Sequence, residues 1–180
     1  MPSEAWNSLR EQIIGKAVVH GKVILSSGRE ADYYVDLRRV TLDAIAAPLV
    51  GQVMRELTAD WEYEAVGGLT LGADPVATAM LHDAARSGLA LDAFVVRKSG
   101  KQHGLQRRIE GPDIAERSVL AVEDTSTTGG SVLTAVDALL EAGASIVGVA
   151  VIVDRGAGPA VIERGLEYRA AYSLADLGLA

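Results

Sequence analysis

Acids, hydroxyls and glycines lie together in the segment VLAVEDTSTTGGS, residues 119–131. Its apolar start is typical of a buried strand, and a helical pattern follows over residues 131–142. We expect residues 125–130 to form a turn that binds phosphate, because free N–H groups and the helix dipole favour an anion there. Like charges repel, so Glu123 and Asp124 suit ribose hydroxyls, a bound cation or a developing positive charge. A phosphorylated ribose is therefore the predicted ligand, and the remaining candidate residues are Thr125, Ser126, Thr127, Thr128, Gly129, Gly130 and Ser131.

The same segment has two other interpretations. An ordinary strand-to-helix connection would use Ser131 as its N-cap, but such a connection needs one cap and no paired acid. A P-loop requires a lysine at the position where this chain has Ser131. The segment GGLTLG, residues 67–72, is not a dinucleotide fingerprint either, and by itself it indicates a tight turn rather than a second phosphate loop.

Positive charge is concentrated in the segment RKSGKQHGLQRR, residues 97–108, of an otherwise acidic chain. No acid interrupts it before Glu110, and residues 98–117 match neither the helical nor the strand period. Loops of this length are uncommon in compact domains, so we predict a mobile functional loop, with a solvated charged loop as the alternative. The candidate anion-binding side chains are Arg97, Lys98, Lys101 and His103.

Arg155 follows an apolar strand pattern and precedes Gly156. Its planar guanidinium suits a carboxylate ligand, although a surface pair with Asp154 or Glu163 is the alternative. Neighbouring Tyr33 and Tyr34 face opposite sides of a predicted strand, so one of them is expected in the core. The side chains without a predicted ligand role are His20, His82, Arg38 and Arg39.

Composition limits the class of protein. With 180 residues, 49% of them hydrophobic, and a mean hydropathy of +0.20, residues 1–180 are expected to form one domain. No apolar run approaches the roughly 20 residues of a membrane-spanning helix, and no signal-peptide pattern is present, so we expect a cytoplasmic protein that binds no membrane. The absence of cysteine excludes disulfides and thiolate metal sites, and no metal-ligating residues are predicted. A net charge of -7 argues against nucleic-acid binding.

Strand and helix patterns alternate after the first third of the chain. Strands that are apolar on both faces belong inside a parallel sheet, so we predict an α/β domain with helices on both faces of the sheet and an added N-terminal subdomain. The predicted helices cover residues 4–15, 43–58, 75–87 and 131–142. The predicted strands and extended segments cover residues 18–25, 33–40, 65–70, 91–97, 119–123 and 145–153.

Three of these segments resemble a known family. The acid-acid-x-x-Thr-Thr-Gly-Gly-Ser pattern after a buried strand resembles the phosphoribosyl pyrophosphate motif of type I phosphoribosyltransferases. The segments SSGREADYYVDLRR, residues 26–39, and RKSGKQHG, residues 97–104, are similar to segments of the orotate phosphoribosyltransferases, in that family's order. The resemblance implies a type I phosphoribosyltransferase fold with a hood formed by about residues 1–40.

The resemblance also implies a reaction. Orotate and phosphoribosyl pyrophosphate would give orotidine 5′-monophosphate and pyrophosphate in pyrimidine biosynthesis, with Mg²⁺ carried on the pyrophosphate. Residues 125–130 would hold the 5′-phosphate, and Glu123 and Asp124 the ribose hydroxyls. Asp124 would also stabilise an oxocarbenium-like transition state. The implied orotate-binding residues are Thr127, Arg155, Tyr34 and Val35.

The family gives the basic loop a role. Departing pyrophosphate is highly charged, so the loop would neutralise it and, once closed, exclude water. The implied catalytic residues are Lys101 and His103 of this loop, together with Asp124. In the family this loop reaches the neighbouring subunit's site, which implies a homodimer.

The sequence departs from the family's pattern at two places. Many relatives carry lysine where Ser26 stands, and a Tyr-Lys pair where Leu71 and Gly72 stand, and those lysines contact substrate phosphates. Their loss implies weaker pyrophosphate binding and leaves a different acceptor base open. A purine phosphoribosyltransferase is therefore one alternative. A non-catalytic regulator that senses phosphoribosyl pyrophosphate and binds nucleic acid is another, although the pI near 4.9 counts against it.

Overall fold

Two separate β-sheets organise the chain in the structure, a computed structural model that describes residues 2–24, 30–98 and 108–180. The strands are β1 (Val18–Ile24), β2 (Glu30–Val35), β3 (Ala65–Leu69), β4 (Asp92–Val96), β5 (Ile109–Glu110), β6 (Ser118–Ser126), β7 (Ser145–Asp154) and β8 (Tyr168–Ser173). The helices are α1 (Glu4–Gln12), α2 (Arg38–Thr41), α3 (Ala46–Leu57), α4 (Ala73–Arg86), α5 (Gly130–Glu141) and α6 (Gly158–Glu163), with a π-helical turn, Ile13–Ala17, after α1.

The larger sheet has the strand order β5-β4-β3-β6-β7-β8. Strands β4, β3, β6, β7 and β8 are parallel, whereas the short β5 runs antiparallel to β4 at one edge. Parallel strands place their carboxyl ends at the same edge, so the chain segments that follow β3, β6 and β7 lie near one another. This arrangement confirms the predicted α/β fold.

Helices cover both faces of the larger sheet. In β6, Leu120 and Val122 pack into a core with residues of α1, α3 and α4, while Val119 and Ala121 pack into a second core with residues of α5. Successive side chains of a strand point to opposite faces, so one apolar strand contributes to both cores. Burial on both sides explains why the sequence of this strand has no polar face.

The smaller sheet is the antiparallel pair β1 and β2, in which Val18 lies opposite Val35. Tyr33 packs against the first core, and its hydroxyl donates a hydrogen bond of 3.0 Å to the backbone oxygen of Leu179. This contact ties the N-terminal subdomain to the C-terminal end of the chain.

Some predicted boundaries are wrong. The extended segment 33–40 ends at Val35, and a helical turn follows because the N–H groups of Val40 and Thr41 both donate to Leu37 O at 2.8 Å. The helix predicted from residue 43 begins at Ala46, since the Asp43 carboxylate lies before the helix and accepts the Ala46 N–H at 2.9 Å. The predicted loop 98–117 contains β5, and the sequence analysis assigned neither α6 nor β8.

Across the parts of the chain that the structure describes, we find no helix with the length and apolarity that crossing a membrane requires.

Candidate functional site

A cleft of about 540 Å³ opens at the carboxyl ends of β3 and β6, where the segment after β2 closes one side. The residues named from the sequence that line it are Val35, Lys98, Glu123, Asp124, Thr125 and Ser131. The other predicted site residues that the structure describes do not line the cleft. They are Tyr34, Arg97, Ser126, Thr127, Thr128, Gly129, Gly130 and Arg155. Lys101 and His103 lie outside the described residues.

The turn between β6 and α5 is shorter than predicted. Thr125 and Ser126 continue β6, where they pair with Val153 and Asp154 of β7, and α5 already begins at Gly130. Only residues 127–129 therefore connect strand and helix, because the ladder with β7 extends past the acids. The prediction of a turn over residues 125–130 is wrong in this respect.

The connection ends at the amino terminus of α5. Gly129 has a φ of 78°, in the left-handed region that favours glycine, and its oxygen accepts the Leu133 N–H at 2.9 Å. Thr127, Thr128 and Ser131 are exposed around it. The first turn of a helix leaves its N–H groups without helical partners, so this corner presents donors to an anion.

Glu123 and Asp124, the acid pair, lie at the centre of the cleft. Glu123 is only 5% exposed, and its Oε2 atom is buried without a hydrogen-bond partner among the described residues. Burial, with the nearby charge of Asp124 as the next cause, raises the pKa of Glu123 to about 8. Burial therefore favours the protonated form of this carboxyl group.

Asp124 has a different environment from its neighbour. Burial raises its pKa too, but the Thr125 N–H, which donates to Oδ1 at 2.6 Å, and the charge of Arg38 act in the opposite direction. Burial thus favours the neutral form of Glu123. For Asp124, the Thr125 N–H and Arg38 offset part of the effect of burial. Such a pair can accept hydrogen bonds from hydroxyls and face a developing positive charge.

The loop after β3, residues 70–72, forms the opposite wall of the cleft. Thr70 N–H donates to Val96 O at 2.8 Å, and Thr70 Oγ1 donates to Asp74 Oδ2 at 2.7 Å. The peptide bond between Thr70 and Leu71 is cis. The sequence analysis treated GGLTLG as a tight turn and missed this wall. The sequence signal for this wall was that the loop comes at the end of a predicted buried strand, residues 65–70.

Arg38 is a second residue that the sequence analysis placed elsewhere. It was predicted to have no ligand role, and it is exposed, but it lines the cleft. Its Nε lies 3.0 Å from Asp36 Oδ1, so a neighbouring carboxylate orients the guanidinium. Asp36 and Arg38 directly follow β2, but the predicted extended segment ran to residue 40, so the wrong strand end concealed their position at the cleft.

Arg155 lies at the end of β7, beside β6. Its N–H donates to Ser126 O at 2.8 Å, which holds the turn after β7 against the end of β6. The Asp154 carboxylate accepts the N–H groups of Gly156 and Ala157 at 2.9 and 2.8 Å, so its Oδ1 caps this turn. Arg155 thus has a fixed backbone and a half-buried side chain beside the cleft.

The basic segment leaves β4 at the cleft. Arg97 N–H donates to Arg108 O at 2.7 Å, and Arg97 Nη1 lies 3.5 Å from Glu110 Oε1. Lys98 is exposed and lines the cleft. Both described ends of the segment are therefore held at β4 and at the neighbouring edge strand β5, beside the site.

A groove of about 770 Å³ adjoins the cleft between α2, α3 and α4. Leu42 and Leu71, both in its lining, are 72% and 69% exposed. Leu71 and Arg38 line the groove and the cleft alike. An exposed apolar surface thus continues directly into the candidate site.

Comparison with known proteins agrees with this geometry. Residues 40–166 match the model of the phosphoribosyl transferase domain. An orotate phosphoribosyltransferase of Streptomyces avermitilis is 69% identical over 175 residues, which cover 96% of this chain and 96% of that protein.

Solved structures give the same result. A Mycobacterium tuberculosis orotate phosphoribosyltransferase in complex with Fe(III) dicitrate has a TM-score of 0.89 and 59% identity, covering 97% of this chain and 99% of that one. A second structure from that organism, in complex with phosphoribosyl pyrophosphate, has a TM-score of 0.85 and 53% identity, with coverage of 97% and 99%. The resemblance that the sequence motifs indicated is therefore confirmed: this chain belongs to the phosphoribosyl transferase domain family and, within it, to the orotate phosphoribosyltransferases.

Proposed function

We propose that the cleft transfers the phosphoribosyl group from phosphoribosyl pyrophosphate to orotate, giving orotidine 5′-monophosphate and pyrophosphate for pyrimidine biosynthesis. The bond between ribose C1 and the pyrophosphate oxygen breaks, and a bond from C1 to a ring nitrogen of orotate forms. The observation that carries the proposal is the acid pair in the cleft, directly before the donor-rich start of α5. A sugar phosphate needs both kinds of group at this spacing.

In this proposal the corner between β6 and α5 binds the 5′-phosphate. The binding groups are Thr125, Ser126, Thr127, Thr128, Gly129, Gly130 and Ser131. Exposed hydroxyls and the free N–H groups of the first helical turn support it, because they supply hydrogen-bond donors without a competing charge. Ser126 contributes through its backbone in this proposal, because its side chain is buried.

The acid pair binds the ribose hydroxyls and stabilises the transition state. Positive charge grows on the ribose ring as the C1–O bond breaks, and a carboxylate in a half-buried cleft interacts more strongly with that charge than it would in water. Asp124 is better suited to this role than Glu123, because the Thr125 N–H and Arg38 favour its charged form.

Orotate binds between the end of β7 and the segment after β2. Arg155 offers a planar donor pair for the orotate carboxylate, with Thr127, Tyr34 and Val35 as the other contacts. Val35 lines the cleft, and the turn that carries Arg155 is held to Ser126 O. Because both segments are held in place, they support a position for orotate between them, with one segment on each side of the base.

The basic segment neutralises the departing pyrophosphate through Arg97, Lys98, Lys101 and His103, and Mg²⁺ enters bound to phosphoribosyl pyrophosphate. The carboxylates of Asp36 and Asp124 in the cleft wall fit such a metal-neutralised diphosphate better than a bare one. When bound, the ion lowers the negative charge of the leaving group.

A homodimer, with the basic loop shared across the interface, completes the proposed site. The groove supports this arrangement, because exposed apolar surface of this kind favours a protein partner and continues into the cleft. We further propose that residues 1–180 act as one cytoplasmic domain with residues 1–40 as the hood. The net charge of -7 supports function without nucleic acid.

The first test is the change in the ultraviolet absorbance of orotate when phosphoribosyl pyrophosphate and Mg²⁺ are added to the purified protein, with a control that lacks Mg²⁺. A Mg²⁺-dependent loss of orotate supports the proposal. Isothermal titration with orotate, adenine, guanine and xanthine then tests the acceptor. Binding of a purine without orotate would favour the purine alternative, and tight nucleic-acid binding at physiological salt without turnover would favour the regulator.

A further inference from the structure

Gly72, at the start of α4, lies directly against the acid pair. A Cβ atom built on it would lie 2.4 Å from Glu123 Oε1 and 2.7 Å from Asp124 Oδ1. Real Cβ atoms essentially never approach heavy atoms that closely, so no side chain fits here without a shift. The backbone at Gly72 is helical, with φ -62° and ψ -43°, which any L residue adopts. An added side chain at this position is therefore limited by space and not by conformation, and the atoms it would meet are the ends of the two acidic side chains.

The surrounding backbone leaves little freedom to widen this contact. On one side, Thr70 is bonded to Val96 O through its N–H and to Asp74 through its hydroxyl, at 2.8 and 2.7 Å. On the other side, Glu123 lies in β6 and is paired with Val151 of β7. Because both backbones are held, an added side chain would displace the two carboxylates rather than the two strands.

We propose that Gly72 is a positioning residue, whose missing side chain determines where the carboxylates of Glu123 and Asp124 lie in the cleft. The inference rests on the role proposed above for the acid pair. It also gives a consequence of placing at residue 72 the lysine that many relatives carry there. A lysine at residue 72 would bring a positive charge, but its first carbon would displace the acids.

The contact with Asp124 makes the effect specific. Asp124 Oδ1, which a Cβ at residue 72 would meet, is the same atom that accepts the Thr125 N–H at 2.6 Å. Moving this atom away from residue 72 disturbs the hydrogen bond that favours the charged form of Asp124. A misplacement of about 1 Å can cost about 100-fold in rate, so we expect Gly72→Ala to lower kcat by about 10- to 100-fold.

Gly148→Ala is a matched control. A Cβ at Gly148 would also meet side-chain atoms, 2.8 Å from the Trp61 ring, but Gly148 lies toward the amino-terminal end of β7, away from the cleft. We expect Gly148→Ala to lower Tm and leave the kcat of the folded enzyme unchanged. We expect Gly72→Ala to lower kcat, with Tm and the KM for orotate close to those of the parent. Gly72→Ala with a kcat within about twofold of the parent, or with a loss that only follows its folded fraction, would overturn the proposal.

A double-mutant cycle with Glu123→Ala tests the contact itself. Glu123→Ala removes one displaced oxygen, so Gly72→Ala should then cost less in kcat/KM than it costs in the parent. Additive losses would overturn the proposal. If Gly72→Ala alone does not fold, the double variant must recover a folded state, and an equally unfolded double variant would also overturn it.

Two further variants separate the explanations. Gly72→Lys should be at least as impaired in kcat as Gly72→Ala, and higher activity than the parent would show that only charge matters at this position, against the proposal. Asp124→Asn tests the role of the acid pair independently. A normal kcat in Asp124→Asn would refute that role and with it the inference, whereas an impaired Asp124→Asn beside a fully active Gly72→Ala would refute the positioning inference alone.

Discussion

Two glycines at the carboxyl ends of adjacent strands serve opposite purposes. Gly129, after β6, has a φ of 78°, and a Cβ there would find its nearest neighbour at an ordinary 3.5 Å. Gly72, after β3, has a helical backbone, but a Cβ there would lie 2.4 Å from a carboxylate oxygen. One corner needs glycine for conformation and the other for space. Substitution is thus expected to damage stability and phosphate binding at the first corner and the acid pair at the second.

The largest effect is expected for the acid pair, which lies between the two corners. Asp124→Asn keeps the size of the side chain and an acceptor for the Thr125 N–H, but it removes the negative charge that we propose faces the ribose. We expect kcat to fall by about 100- to 1,000-fold, as for the loss of one group that stabilises transition-state charge. Steady-state kinetics and a melting curve test this, with Tm close to the parent as the control for folding.

Glu123→Gln is expected to change the pH dependence of stability. Folding raises the pKa of Glu123 from its ordinary 4.5 to about 8. Its contribution to the stability of the folded protein is therefore fully present below pH 4.5 and is lost as pH rises through 8. The glutamine amide cannot ionise. The free energy of unfolding of Glu123→Gln should therefore exceed that of the parent at pH 8 by on the order of 1–3 kcal/mol.

Denaturant unfolding at pH 5 and pH 8 measures this difference. The parent should lose more stability between the two pH values than Glu123→Gln does. Identical pH profiles would show that Glu123 ionises as readily in the folded protein as in the unfolded chain.

Gly129→Ala tests the corner that needs conformation. A left-handed backbone costs an L residue roughly 1–2 kcal/mol, so we expect a loss of stability of about that size and a higher KM for phosphoribosyl pyrophosphate. Gly130→Ala is the matched control, because Gly130 is helical and an added Cβ lies 3.5 Å from Thr128 Oγ1. The control should be no less stable than the parent in thermal unfolding. Equal stability of the two variants would contradict the distinction between the corners.

Thr70→Val is expected to have the smallest effect and tests the corner that needs space. It removes the hydrogen bond to Asp74, whose Oδ1 is already buried without a partner in the described ranges. We expect a loss of about 0.5–1.5 kcal/mol in the free energy of unfolding, the usual net contribution of one hydrogen bond. Because the loop that carries Gly72 is then held less firmly, kcat should also decrease.

Thr134→Val is the control for this substitution, since the exposed Thr134 hydroxyl bonds to the preceding helical turn at Gly130 O. It should change stability by less than Thr70→Val. If both variants behave alike in unfolding and kinetics, the Thr70 hydrogen bond does not hold the wall of the cleft.

Local patterns allowed the sequence to predict the parallel sheet and the β6–α5 connection. A continuous apolar run, two acids, hydroxyls and two glycines follow one another within residues 119–131, so their order along the chain is also their order in space. The length of β6 was not predictable in the same way. Thr125 and Ser126 belong to it because Val153 and Asp154 of β7 extend far enough to pair with them.

The sequence by itself determined the family, the strand that carries the acid pair and the residues expected to bind phosphate, because each depends on neighbours along the chain. Only the tertiary structure brought Arg38 to the cleft, opened the apolar groove beside it and placed Gly72 against Glu123 and Asp124. The physical reason is that close packing and strand pairing join residues far apart in sequence. The absence of a side chain at residue 72 matters because the carboxylates of Glu123 and Asp124 occupy the space that a side chain would fill.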